Sequence, residues 1–386
     1  MTFFIIVCLL LTSFYLLLIG IYVFGWVTMP DWIPKQGRKN FNTSVSILIP
    51  ARNEEAHIID CLRAILEQQY PAELLEIIVI DDFSTDKTTD LVEYLVERVS
   101  NLQLLQLKDL VTEEERKNLN SFKKKALELA IAQSQYELII TTDADCVMNP
   151  LWLQTIVGFY EEHHPQLIAA PVCYKDEQNF AQRFQSLDFM GMMVSTGASV
   201  NLKMADMSNG ANMAYTRVAF EAVNGFEGID HIASGDDMLL MTKISKKFPN
   251  QIRFLKSLEA TVYTYPQPDW SNFAQQRLRW ASKSAQYKDK RITFFLAAVY
   301  LFNVSMVVNL IGGILGNLVL LKLFAGQFIF KSIFDFVYLR TACRFFNRNE
   351  LLSLFLPAQL MHILYIIIIG AWSQFGKFEW KGRKVR

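Results

Sequence analysis

Two regimes of patterning divide the chain. Residues 45–145 carry short apolar runs, "VSILIP" (45–50), "LEIIVIDD" (75–82), "NLQLLQL" (101–107) and "ELIITTDAD" (137–145). Between them lie stretches with a helical apolar period, "EEAHIIDCLRAILEQ" (54–68), "TTDLVEYLVERV" (88–99) and "KKALELAIAQS" (124–134). Continuous apolar strands alternating with amphipathic helices predict an α/β fold with a mostly parallel sheet covered on both faces. Ligands of such sheets bind beyond the carboxyl ends of the strands. From about residue 149 to 291 the pattern loosens into helices and irregular stretches such as "GMMVSTGASV" and "MSNGANMAY", without an internal repeat. The expected organisation of this middle region is a nucleotide-type half, 31–145, followed by a half that shapes a second substrate, 146–291.

Apolar runs bracket that middle. Residues 1–30 carry no charged side chain, and "FFIIVCLLLTSFYLLLIGIYVFGWV" exceeds the roughly 20 apolar residues that cross a bilayer. With no basic leader region and no small-residue cleavage site, it is expected to be a retained anchor, not a signal peptide. Further uncharged runs cover 292–321 and 351–376, and "NLIGGILGN" interrupts the first with glycines, which favours a hairpin over one tilted helix. The region 292–386 is thus expected to hold two or three membrane segments and a basic tail. Lys35, Arg38 and Lys39 after the first run, and Lys283, Lys288, Lys290 and Arg291 before the second, predict a catalytic domain facing the cytoplasm. Lys331, Arg340, Arg344 and Arg348 suggest an interfacial helix on the same side. The tail "KFEWKGRKVR" favours that side too, which conflicts with a full crossing by 351–376.

Composition removes several classes. Lys plus Arg and Asp plus Glu are 38 each, so bulk electrostatics give no reason to expect nucleic acid. Cys8, Cys61, Cys146, Cys173 and Cys343 show no CxxC spacing, which indicates neither a disulfide framework nor a zinc site and fits a reducing compartment. Neither GxGxxG nor GxxxxGK[ST] occurs, so any phosphates need another partner, and a divalent cation on carboxylates is the natural one.

Asp143 and Asp145 offer such a site, since along extended chain both carboxylates point one way and Ala144 the other. The same acids could cap a following helix. "DDFSTDKT" (81–88) places Asp81 and Asp82 where they could accept hydrogen bonds from a base or ribose, or could open an Asx turn and helix cap. Asp236 and Asp237 in "SGDDMLLM" suit a general base as well as a helix start. In "QQRLRW" (275–280), Gln276, Arg279 and Trp280 share a helical face that could meet a pyrophosphate and an acceptor, or form an interfacial belt.

Taken in order, "PARNEE", "DDFSTD", "DAD", "GDD" and "QRLRW" resemble family 2 glycosyltransferases of the GT-A fold over most of residues 44–291. The resemblance implies a Rossmann-like GT-A domain flanked by transmembrane helices, transferring a sugar with inversion from a nucleotide sugar, usually a uridine diphosphate sugar. It places Pro50, Arg52, Glu54, Asp81, Asp82 and Asp143 at the nucleotide sugar, with Lys124 from the lysine cluster. Asp143 and Asp145 match the metal-binding DxD that takes Mg2+ or Mn2+. Asp237, paired with Asp236, matches the catalytic base; Gln276, Arg279 and Trp280 match the QxxRW motif of acceptor and diphosphate. "NGANMAY" (209–215) looks like the acceptor-side segment, with Gly210 and Asn212 its residues of interest. Two positions depart from the pattern: Phe83 and Phe122 stand where many relatives have Gly, which leaves open the lysine of 123–125 that faces phosphate.

Anchors at both ends and a tail resembling that of ceramide, carotenoid and hopanoid glycosyltransferases imply a membrane lipid hydroxyl as acceptor. A processive polysaccharide synthase would need more spans, and a polyprenyl-phosphate sugar transferase would have less use for the "GDD" acids. A non-catalytic scaffold would tolerate loss of Asp143 or Asp237. Transport would call for ionisable groups inside spans, where only His362 and the peripheral Lys322 are expected.

Overall fold

Three of the four apolar runs become strands buried on both faces, where β-branched side chains pack well, and the third, at the sheet edge, is only half-buried. The computed structural model describes residues 1–34, 41–204, 207–281, 290–373, 378–380 and 383–385. Its strands include β1 (Val45–Ala51), β2 (Leu75–Asp81), β3 (Leu102–Gln106), β4 (Leu138–Thr141) and β5 (Val147–Met148). They continue with β6 (Leu167–Ala169), β7 (Val172–Tyr174), β8 (Met213–Thr216), β9 (Ile252–Phe254) and β10 (Val262–Thr264). Seven form one sheet in the order β3-β2-β1-β4-β8-β6-β9, with β2, β1 and β4 parallel and β8 antiparallel to both its neighbours. A smaller sheet runs β5-β10-β7.

The sheet continues past residue 145, the expected meeting point of the two halves of the middle region, because β8, β6 and β9 extend it beyond β4. The chain divides instead into a unit of Pro30–Asp176, Asp206–Tyr265 and Glu379–Arg386, and a unit of Met1–Met29, Glu177–Ala205 and Pro266–Phe378. The first holds the sheets with α2 (Ile58–Leu66), α3 (Thr88–Val96), α4 (Leu107–Leu110), α5 (Glu113–Asn118), α6 (Phe122–Gln133), α7 (Trp152–His163), α9 (Arg217–Ala222) and α10 (Asp236–Lys247). The second is helical: α1 (Thr2–Thr28), α8 (Phe180–Asn201), α11 (Trp270–Ala281), α12 (Lys290–Ile314), α13 (Leu318–Phe345) and α14 (Phe355–Trp372). Phe378–Trp380 and Arg383–Val385 pair as a two-stranded sheet.

In the helical unit, three segments are long and apolar enough to cross a membrane: Thr2–Thr28, Lys290–Ile314 and Asn349–Trp372. The glycine-interrupted run is a hairpin turning at Gly316, whose φ of 102° lies in the left-handed region that glycine tolerates. Its second leg, α13, packs along both α12 and α1. The interfacial helix expected around Lys331 is therefore a bundle member, for α13 is polar on its inner face and apolar on its outer one. Gln327, Lys331 and Asp335, spaced four apart, are buried, whereas Ile329, Phe330, Ile333 and Val337 are exposed. Lys331 pairs with Asp335, which also accepts hydrogen bonds from Tyr15 Oη and Gln359 Nε2, each 2.7 Å. Gln327 accepts from Asn309 at 2.8 Å and donates to Thr12 and Ser305 at 3.1 Å. Ionisable groups of the bundle are thus not confined to His362 and Lys322. Lys35, Arg38, Lys39, Lys283 and Lys288, on which the expected orientation rests, lie outside the described residues.

Candidate active site

Parallel pairing sets three loops side by side. Ala51 is in register with Asp81, and Leu48 with Thr141, so the chains leaving β1, β2 and β4 emerge at one edge of the sheet. Arg52 laces the first two loops, donating to the carbonyls of Asp82 (2.6 Å) and Phe83 (3.0 Å). Asn53 N–H donates to Ser84 Oγ at 3.0 Å, and Glu54 N–H to Thr88 Oγ1 at 2.8 Å. Asp81 and Asp82 are buried, Asp81 accepting the Ser84 N–H, while Asp86 accepts from Thr88 at the start of α3. The turn reading of "DDFSTD" thus occurs at Asp86, while Lys87, at the N-cap of α3, makes no side-chain cap hydrogen bond.

Phe83 adopts φ 53°, a left-handed conformation costly for a side chain this large. Its ring meets Phe122 edge-on at 6.0 Å, and the Arg116 guanidinium lies 4.4 Å from its centroid. The two positions that depart from the glycine pattern therefore touch each other.

Asp143 and Asp145 are not in extended chain: β4 ends at Thr141, and a turn closed by Cys146 N–H to Asp143 C=O (3.1 Å) carries both acids. Both carboxylates are still partly exposed with Ala144 buried between them. The helix-cap role fails, since α7 begins at Trp152, separated by β5, and Asn149 Oδ1 accepts the Leu151 N–H there. Beneath the turn lie the buried thiols of Cys61 and Cys146, both pushed upward in pKa, first by burial and then by Asp145 and Asp143.

Lys123 reaches Asp143 Oδ1 at 2.7 Å and Asp236 Oδ2 at 3.2 Å, joining the DxD turn to the first turn of α10. Burial alone would lower its pKa, but Asp143 and Asp236 reverse this and hold it well above the ordinary lysine range. Asp237 accepts the Gly210 N–H (3.0 Å) and the Met238 N–H (2.7 Å). A Cβ on Gly210 would stand 3.2 Å from Asp236 Oδ2 and 3.5 Å from Lys123 Nζ, so any side chain here would press on the Asp236–Lys123 pair. Three acids, one cation and a bare backbone amide thus converge beyond the ends of the strands.

A family model described as Glycosyl transferase family group 2 matches residues 138–372, more than half of the chain, and one described as Glycosyl transferase family 2 matches residues 46–222. The chain belongs to glycosyltransferase family 2. It is 27% identical over 314 residues to "Probable glycosyltransferase YdaM" of Bacillus subtilis, covering 74% of this chain and 71% of that protein. It is 30% identical over 148 residues to the beta-monoglucosyldiacylglycerol synthase of Nostoc sp., covering 37% of this chain and 29% of the relative. Among solved structures, mannosyltransferase PcManGT from Pyrobaculum calidifontis superposes with a TM-score of 0.59 at 20% identity, covering 96% of this chain and 99% of that one. The fold is of the GT-A type.

Two residues expected at this glycosyltransferase's site are engaged elsewhere. Lys124 is buried, and its ammonium donates to the carbonyls of Ile229 (2.8 Å), Ile232 (2.5 Å) and Ser234 (3.0 Å), propping the loop that leads into Asp236. One residue is about 100° on a helix, so Lys123 and Lys124 face different neighbours. Asn212 is fully buried: it accepts from Trp152 Nε1 (3.1 Å) and donates to the carbonyls of Pro171 and Ala260 (both 2.7 Å). Its polar capacity serves the core, not an acceptor.

Gln276, Arg279 and Trp280 lie on α11 in the helical unit. Their neighbour Arg277, which none of the motif assignments includes, is buried, pairs with Asp188 of α8 at 2.8 Å and stacks 4.2 Å from the Trp280 centroid. Tyr215, at the end of "NGANMAY", is likewise outside those assignments; its buried hydroxyl has no hydrogen-bond partner among the described residues, and its pKa is raised by burial and then by Asp236. Their only signal was adjacency to motifs already named.

Proposed function

We propose that this glycosyltransferase moves a sugar, with inversion, from a nucleoside diphosphate sugar of the uridine class to a hydroxyl of a membrane lipid. The observation that carries this reading is the joining of Asp143, Asp236 and Asp237 around Lys123 and Gly210 at the strand ends. In the reaction the acceptor O–H is deprotonated by Asp237 as its oxygen attacks the anomeric carbon. The bond from that carbon to the diphosphate breaks on the opposite side, and its electron pair leaves with the diphosphate. Gly210 N–H and Met238 N–H hold the Asp237 carboxylate in place for this step.

Asp143 and Asp145 would hold a divalent cation, Mg2+ or Mn2+. Two carboxylates on one turn make the partial donor set of a cation that completes its shell with water and phosphate oxygens. Such an ion would neutralise charge growing on the leaving diphosphate. PcManGT, of the same fold, was solved with GDP-Man and Mn2+, which supports a nucleoside diphosphate sugar donor and a divalent cation, the uridine base resting on the family resemblance alone. Pro50, Arg52, Glu54, Asp81 and Asp82 shape the donor edge; Gln276, Arg279 and Trp280 are assigned to acceptor and diphosphate.

The lipid acceptor and an integral membrane location rest on the three apolar helices and on similarity to a glucosyldiacylglycerol-forming relative, and the cytoplasmic side of the catalytic unit rests on the basic residues flanking the apolar runs. The test is incubation of membranes containing the chain with labelled nucleotide sugars, followed by extraction into organic solvent. Metal-dependent label in the lipid phase is expected. Label in insoluble polymer would replace this reading with a polysaccharide synthase, and no transfer with any donor would refute it.

A further inference from the structure

Lys123 links both acid pairs, and its position creates a conflict with the cation just assigned to the same turn. Its ammonium already lies 2.7 Å from Asp143 Oδ1 and 3.2 Å from Asp236 Oδ2, and its side chain is only 23% exposed. A divalent ion on Asp143 and Asp145 would therefore be set beside a resident positive charge sharing one of its carboxylates, and like charges at such range repel strongly. The surroundings also carry unmet hydrogen-bonding capacity. The buried hydroxyls of Ser121, Thr142 and Tyr215 have no hydrogen-bond partner. Ser121 lies two residues before Lys123, Thr142 directly precedes Asp143, and Tyr215 interacts electrostatically with both Asp236 and Lys123. Buried polar groups are normally paired, so orphans adjoining this ion pair in sequence, and in the case of Tyr215 electrostatically, leave hydrogen-bonding capacity that a change of partner could use.

We propose that Lys123 is a built-in counter-cation that holds the DxD turn and the "GDD" helix together before substrate arrives, competes with the divalent cation for Asp143, and passes to the diphosphate when donor enters. It is a positioning residue: it sets when Asp143 is free for metal and Asp236 free of its partner, and takes no part in bond exchange. Metal alone should then bind weakly, and metal with nucleotide well, because the diphosphate gives the ammonium a new anion. This rests on the functional reading above.

The test is titration of the full detergent-solubilised chain with Mn2+, following the free ion by electron paramagnetic resonance, with and without UDP or GDP. Lys123→Met should bind Mn2+ alone about tenfold or more tighter than wild type, the scale of one charge-assisted hydrogen bond removed. Lys123→Arg, which keeps the charge, should stay within about threefold. With nucleotide present the advantage of Lys123→Met should vanish or reverse. Should the Met variant not fold, Lys123→Gln carries the same comparison. Unchanged or weaker Mn2+ binding by the uncharged variant overturns the inference while leaving the functional reading intact. Failure of wild type to bind Mn2+ even with either nucleotide overturns that reading and this inference with it.

Discussion

Replacing Asn212 with Ala separates a structural from a substrate-binding role. Asn212 joins three elements: Trp152 of α7 donates to its side-chain oxygen, and its amide donates to Pro171 before β7 and to Ala260 before β10. Asn212→Ala strands one buried indole N–H and two buried carbonyls. Each costs about 1–3 kcal/mol, and taking the low end for all three gives about 3 kcal/mol. For a unit of this size that corresponds to a fall of about 6–12 °C in melting temperature, readable from tryptophan fluorescence of the purified chain on heating. The folded fraction should keep its donor and acceptor KM within about twofold. A variant that melts like wild type but shows a strongly raised acceptor KM would refute the reasoning and return Asn212 to the acceptor site.

Other outcomes follow from the same geometry. Asp237→Asn should keep donor affinity and lose about 10²–10⁴ in turnover; near-wild-type turnover would displace it as the base. Lys124→Met should lower stability through three abandoned carbonyls while leaving Mn2+ binding unchanged; tighter Mn2+ binding would show that it, too, competes for the acids. Because burial and the neighbouring Asp145 and Asp143 raise the Cys61 and Cys146 pKa values, the folded state keeps protons that the unfolded chain releases near its ordinary thiol pKa of about 8.5. Stability should therefore fall as pH rises above about 8.5, less steeply in Cys61→Ala, and N-ethylmaleimide at pH 7 should leave both thiols unlabelled by mass spectrometry. Reporter fusions at Gly316 and Asn347 should lie on opposite sides of the membrane if α13 spans it, and on one side if it does not.

The parts of the fold read from sequence are those where burial is complete and continuous. β1, β2 and β4 are buried almost throughout and predominantly apolar because parallel strands are covered on both faces, and acids follow at the ends of β2 and β4. β6 and β9 are three residues each, too short to show a period, so the sheet's extension past Asp145 was invisible. Choosing between Lys123 and Lys124 required the rotation of α6, which begins at Phe122, two residues before the apolar period becomes evident. Asn212 misled because an amide among glycine and small residues looks the same whether it meets a ligand or three backbone and indole groups. The polar face of α13 was misjudged because charge on a long helix ordinarily signals water; here the partners are Tyr15 and Gln359 on other helices.

That inverted helix constrains how the chain is made. Were α13 to enter a bilayer alone, Lys331 and Asp335 near its middle would each carry an insertion penalty of about 2.5–3.5 kcal/mol. The pair partly cancels once it forms across one turn, but Asp335 gains its remaining hydrogen bonds only from α1, synthesised some 300 residues earlier, and from α14, synthesised later. Seating of α13 against its neighbours thus waits for the last helix to emerge. The order of synthesis becomes the order of assembly, and a chain truncated before Gln359 should be held by the insertion machinery or degraded, however well its catalytic unit has folded.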